Sequence, residues 1–175
     1  MRSTVEDWGE VVRASDVEAF SQAHRHPFLV DEAAAVGGEE EDREVQFRTV
    51  VGDEAIPGTV GASDLGKLRV QPLVKRESGA FEGLVHVGRT ANNDIVLDDP
   101  SISKFHAFFV RDQLRRIYQL SDAGSMNGTF VDGERLAEGD RRDLSSRQNI
   151  RFGTAFSFRF HEPDGFHEFV RLVVG

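Results

Sequence analysis

Three features predict a mainly β protein, an antiparallel β-sandwich with a short helical N-terminal extension. From Glu44 onward, short runs rich in β-branched and aromatic residues are separated by turn residues at the spacings of an antiparallel sandwich. In Ala155-Phe156-Ser157-Phe158-Arg159-Phe160, three Phe alternate with small or charged residues, which sends every ring to one face of a sheet and predicts a core strand. Ahead of these runs, residues 1–36 carry helix-start signals instead.

Taken in order, Ser3-x-x-Glu6 and Ser15-x-x-Glu18 each fit a capping box, in which hydroxyl and carboxylate satisfy free amides, and they predict two short helices. Pro27 is expected to stop the second. Gly37-Gly38 followed by Glu39-Glu40-Glu41-Asp42 reads as a solvated, acidic linker over 37–44. The β domain is placed at 45–163, with strands expected near 45–51, 68–75, 83–88, 106–111 and 116–121. After Thr129-Phe130-Val131, the Asp132-Gly133 pair supplies two positive φ values for a tight hairpin into Glu134-Arg135-Leu136. Residues 164–175 fit helix or strand: Phe166, Phe169, Val170 and Val173 have helical spacing behind a cap at Asp164, whereas Phe169, Arg171 and Val173 also alternate. Helix is preferred.

Composition narrows the classes of function. A chain of 175 residues suits one domain with an extension, and its 14 Phe against a single Tyr and Trp are packing material for a real core. With no Cys, thiol catalysis, disulfides and cysteine-held metal are excluded. The start reaches acids before any apolar run, and no stretch of about eighteen apolar residues occurs, so neither a secretion signal nor a membrane span is expected, and a cytoplasmic location is. The formal charge of −9 is unevenly placed: residues 1–66 hold 5 Lys/Arg and 15 Asp/Glu, the remainder 16 and 15. That balance argues against a general nucleic-acid surface, yet leaves room for cations concentrated in one set of loops.

Three short motifs concentrate the chemistry: Gly88-Arg89, Ser103-Lys104-Phe105-His106, and Gly124-Ser125-Met126-Asn127-Gly128-Thr129. An arginine that follows a strand can donate two parallel hydrogen bonds to a phosphate, which a lysine cannot copy. Read with Val87, with Asn93-Asp94-Ile95-Val96-Leu97 and with Phe130-Val131, the set resembles the forkhead-associated (FHA) family of phosphothreonine readers. The resemblance covers about residues 68–161, most strongly 84–131.

That resemblance implies an FHA-type sandwich in which the three loops converge at one end. It implies phosphate binding by Arg89, Ser103 and Lys104, peptide contact by Asn127 and Met126, and structural support from Gly88, His106 and Gly128. Lys104 stands where the family often has arginine, which keeps the charge but gives up the fork. The implied function is a signalling adaptor that binds phosphothreonine peptides made by an upstream Ser/Thr kinase, with no catalytic residue, metal or cofactor and with no nucleic-acid or membrane partner. Phosphorylated Thr4 is a candidate intramolecular ligand, against the plainer role of helix cap. The alternative is a phosphate-independent scaffold that uses the N-terminal helices.

Other readings are weaker. His106 as a base for Ser103 would need an orienting acid and an oxyanion hole that nothing in the sequence identifies, and no Gly-x-Ser-x-Gly elbow occurs. Gly61-Ala62-Ser63-Asp64-Leu65-Gly66-Lys67 imitates a P-loop until Leu68 takes the place of the magnesium-binding hydroxyl, and a strand with Pro72 follows where a helix is needed. His24-x-His26 lacks a nearby third ligand.

Overall fold

The computed structural model describes residues 3–31, 65–76 and 83–175. Two sheets face each other across a core, and helices cover part of one outer face. Strands β1 (Ser3–Thr4), β2 (Phe28–Asp31), β3 (Arg69–Pro72), β8 (Thr129–Val131), β9 (Glu134–Arg135), β11 (Asn149–Phe152) and β12 (Phe156–His161) form a seven-stranded sheet in the order β1-β3-β2-β12-β11-β8-β9. The second sheet has five strands: β10 (Arg142–Asp143), β7 (Ile117–Asp122), β6 (Ala107–Asp112), β4 (Leu84–Gly88) and β5 (Ile95–Val96), in that spatial order. Pairing is antiparallel except for the parallel pair β4–β5.

Alternation explains the space between the sheets. Val85 and Val87 from β4, Phe109 from β6 and Leu120 from β7 meet Ile150 and Phe152 from β11 and Phe158 and Phe160 from β12, all buried. The three alternating Phe do share that core, Phe156 at its margin. The hairpin β8–β9 has the expected turn, with φ of 50° at Asp132 and 82° at Gly133.

Both N-terminal helices form, α1 over Val5–Arg13 and α2 over Val17–Ala23, but each starts from a different cap than the sequence suggests. The capping box of α1 is Thr4 with Asp7, one residue later than Ser3 and Glu6, because Ser3 is committed to β1 beside Val70. Asp16, not Ser15, caps α2 by accepting from the Ala19 amide at 2.8 Å. The C-terminal segment is helical, α3 over Pro163–Val174, with Glu162 at its N-cap position and Pro163 as its first residue; Asp164 lies inside the helix rather than at the cap.

The largest departure is β2. Residues 28–31 fall in the stretch expected to be a helical extension, yet they lie inside the seven-stranded sheet between β3 and β12. Leu29 points into the core between the sheets, while Phe28 and Val30 point outward to a second core formed with Val5, Val12, Phe20, Val70, Phe166 and Val170. Phe28 stacks on Phe166 with centroids 4.0 Å apart, and Trp8 meets both rings edge-on. Full burial of each such Phe is worth roughly 2–3 kcal/mol, so the helices are bound to the sandwich by their apolar faces. The expected linker at 37–44 and the strand at 45–51 lie outside the described residues.

Candidate functional site

The three motif loops occupy the end of the sandwich where β4 and β7 finish and β6 and β8 begin. Gly88 ends β4, and the amide of Arg89 donates to Ser103 O at 3.0 Å, which joins the first loop to the second. The second joins the third twice: the Met126 amide donates to Ser103 Oγ at 3.1 Å, and Asn127 Nδ2 donates to Ser101 O at 2.7 Å. All three motifs are therefore brought to one place.

His106, fully buried, ties the loops from beneath. Its Nδ1 accepts from the Ser103 amide at 3.1 Å, so the ring proton sits on Nε2, which lies 3.0 Å from Gly128 O. Burial holds its pKa below the ordinary histidine value, and opposing pulls from the Gly128 carbonyl and Asp122 do not offset this. Because both ring nitrogens are engaged with backbone, and neither with the Ser103 hydroxyl, the imidazole is a brace and not a base for Ser103.

Two glycines are dictated by space. A Cβ on Gly88 would stand 2.3 Å from Lys104 O and 2.8 Å from Asn93 Nδ2, inside any real contact distance. Gly128 has φ of 85°, and a Cβ there would lie 2.7 Å from Arg135 Nε.

The remaining support comes from residues to which the motif reading gave no role. Asn93, buried, donates through Nδ2 to Lys104 O at 2.7 Å and Thr90 O at 2.8 Å, fixing the backbone on which Lys104 stands. Asp122, also buried, accepts from the Gly124 and Ser125 amides at 2.9 and 2.8 Å and from the Ser125 and Thr129 hydroxyls at 2.6 Å each. Burial alone would raise its pKa, but the Ser125 and Thr129 hydroxyls and the two amides outweigh it and hold the carboxyl below its usual value. Asp94 repeats the pattern under the first loop: burial is outweighed by the His86 amide, the Lys75 ammonium and the Arg76 amide, so it too stays ionised. The spacing Asp122-x-x-Ser125 was the available signal, since a buried acid capping a tight turn needs donors two and three residues on.

Around this frame two of the exposed side chains are cationic. Arg89 is exposed and its Nε donates to Ile102 O at 3.2 Å, while its terminal nitrogens make no hydrogen bond among the described residues. Lys104 is exposed, Asn127 half-buried, and Met126 projects with 84% of its surface exposed; Phe105 is 46% exposed. Neither Arg89 nor Lys104 takes part in an ion pair among the described residues.

Comparison with known proteins finds relatives of the segment that holds this site. Residues 85–153 match the family model described as "FHA domain". The DNA damage response protein kinase DUN1 of Saccharomyces cerevisiae is 38% identical over 80 residues, 42% of this chain and 15% of the kinase. The serine/threonine-protein kinase cds1 of Schizosaccharomyces pombe is 34% identical over 94 residues, 50% of this chain and 20% of that protein. The chain thus spans no more than a fifth of either kinase. Among solved structures, Mycobacterium tuberculosis EmbR in complex with a low affinity phosphopeptide is similar at a TM-score of 0.49 and 24% identity, over 78% of this chain and 24% of that one. The segment 85–153, which carries the motif loops gathered at one end of the two-sheet sandwich, thus matches the forkhead-associated (FHA) domain model.

Proposed function

We propose that this protein is a phosphothreonine-peptide-binding adaptor that acts downstream of a Ser/Thr kinase. The observation that carries the reading is the convergence of two unpaired cations, Arg89 and Lys104, with the Ser103 hydroxyl and the Asn127 amide on loops braced by His106, Asn93 and Asp122. Arg89 supplies a fork for the phosphate, Lys104 a second charge, and Ser103, whose oxygen already accepts from Met126, has its proton to donate. Asn127 registers the extended peptide backbone, and Met126 meets residues after the phosphothreonine with an adaptable side chain.

The likeness of the FHA segment to two protein kinases supports a place in kinase signalling, while the matched segment itself is a binding module. A scaffold role for the N-terminal helices finds less support, since α1 and α2 spend their apolar faces on Phe28, Phe166 and Val170. Capture of phosphorylated Thr4 by the same molecule is also disfavoured. Thr4 caps α1, and its strand β1 lies at the opposite edge of the sheet from β8 and β9, so reaching the clamp would require stripping both elements away.

A library of phosphothreonine peptides tests the proposal, with Arg89→Ala as control. Two charge-assisted hydrogen bonds at roughly 1.5–3 kcal/mol each are lost, so affinity is expected to fall by about 100-fold or more while the exposed site leaves thermal stability nearly unchanged. A variant that bound such peptides normally in a titration would refute the clamp.

A further inference from the structure

Strand β6 leaves the clamp at Ala107 and ends at Asp112, so the β6–β7 hairpin lies at the opposite end of the sandwich. There a cavity of about 160 Å³ opens between the hairpin, the end of α2 and the start of α3. Its polar lining is Ser21, Arg25, Arg111, Arg116, Tyr118 and Glu162: three guanidinium groups against one carboxylate.

Several independent features of this cavity suit an anion. The Nε of Arg111 and the hydroxyl of Ser21 are both buried, and both lack a hydrogen-bond partner among the described residues. A buried donor left unpaired is expensive, and both belong to residues that line this cavity. Arg111 is held in place by its cross-strand partner, with its guanidinium 5.9 Å from the centre of the Tyr118 ring. None of Arg25, Arg111 and Arg116 forms an ion pair among the described residues. Arg116 also sits at φ of 59°, a left-handed position that glycine or asparagine would occupy with less strain, yet the residue there is a long cation that lines the cavity. The single acid is a weak opponent, because burial and then the nearby Asp164 push the Glu162 carboxyl above its usual pKa.

We propose that this cavity is a second anion site, built for a phosphate dianion and separate from the FHA clamp. Three arginines exceed what a single carboxylate ligand needs. Their planar forks, with the Ser21 hydroxyl, match the several acceptor oxygens of a phosphate group. The phosphate can be free or carried on a phosphorylated side chain, and the test separates the two.

The experiment uses the full chain carrying Arg89→Ala, so that the clamp is silent and its success or failure does not enter. Arginine Nε–Hε and backbone amide resonances are followed by NMR during titration with inorganic phosphate, with a short phosphoserine peptide, and with chloride at matched ionic strength. Saturable shifts at Arg111, Arg116 and Ser21 with phosphate, absent with chloride, are expected. Tighter saturation by the peptide identifies the carried form, and tighter saturation by phosphate the free form. Arg116→Gly relaxes the backbone and removes a cation, so it should raise the melting temperature while lowering phosphate affinity at least 10-fold; Ser21→Ala should lower affinity without that rise. If phosphate merely follows chloride, or if Arg116→Gly raises stability and leaves phosphate affinity unchanged, the site does not exist and Arg116 is only a turn residue.

Discussion

Replacing Gly88 by Ala probes whether the clamp depends on how closely β4 approaches the second loop. The added Cβ would lie 2.3 Å from Lys104 O and 2.8 Å from Asn93 Nδ2, and the nearer obstacle is backbone, which cannot rotate aside. An ordinary contact needs about 1 Å more, so either the end of β4 or the Lys104 peptide must retreat by that amount. Three hydrogen bonds cross this junction: Arg89 N to Ser103 O at 3.0 Å, His106 N to Val87 O at 2.9 Å, and Asn93 Nδ2 to Lys104 O at 2.7 Å. With each worth roughly 1 kcal/mol, and at least two of them broken or stretched, a stability loss of about 2–3 kcal/mol is expected. Because the same shift separates Arg89 from Ser103, phosphopeptide affinity should also fall, by about 10-fold or more, at temperatures where the variant is fully folded. Urea denaturation measures the first quantity and calorimetric titration with a phosphothreonine peptide the second. A change below about 0.5 kcal/mol with unaltered affinity would mean that the junction yields freely, and the proposed rigid spacing of Arg89 and Ser103 would be refuted.

Two further outcomes are expected. Burial, with the charges of Arg159 and Arg147, lowers the His161 pKa from 6.5 to about 4, and a weak opposing pull from the Gly165 backbone does not offset this. Since the unfolded chain then binds the proton more readily, stability is full above pH 6.5 and declines as pH falls toward 4, by roughly 3 kcal/mol in all. Urea midpoints measured from pH 7 to pH 4.5 should show this slope in the wild type and a shallower one in His161→Leu; parallel slopes would contradict it. Asp122→Ala strands two hydroxyls and two amides, and should cost about 3–5 kcal/mol by denaturant titration, with Asp122→Asn less harmful. Wild-type stability in the Ala variant would show that something else holds the third loop.

Most of the fold was readable where burial is one-sided. Phe156, Phe158 and Phe160 announce their strand because alternate residues face core and solvent, and Asp132-Gly133 announces its turn because few other pairs accept two positive φ values. Strand β2 was not readable for the opposite reason. Phe28, Leu29, Val30 and Asp31 are all buried, between the sandwich core on one side and the helices on the other, so the segment has no alternation to detect. The exact helix caps were missed by a residue each because the Ser3 hydroxyl is drawn to Val70 O, 67 positions away, and the Ser15 hydroxyl bonds back to Val11 O.

The sequence by itself determined the fold class and the set of residues offered to the clamp, since motif order, turn chemistry and the period of apolar residues are local properties. Only the tertiary structure decided that Arg89 meets Ser103, that His106 is a neutral brace, and that Asn93 and Asp122 hold the loops from below. It alone also placed Ser21, Arg111 and Glu162 around one cavity. These are matters of distance between residues far apart in the chain, and distance in space is fixed by packing two sheets and a helical layer against each other, which no single stretch of sequence encodes.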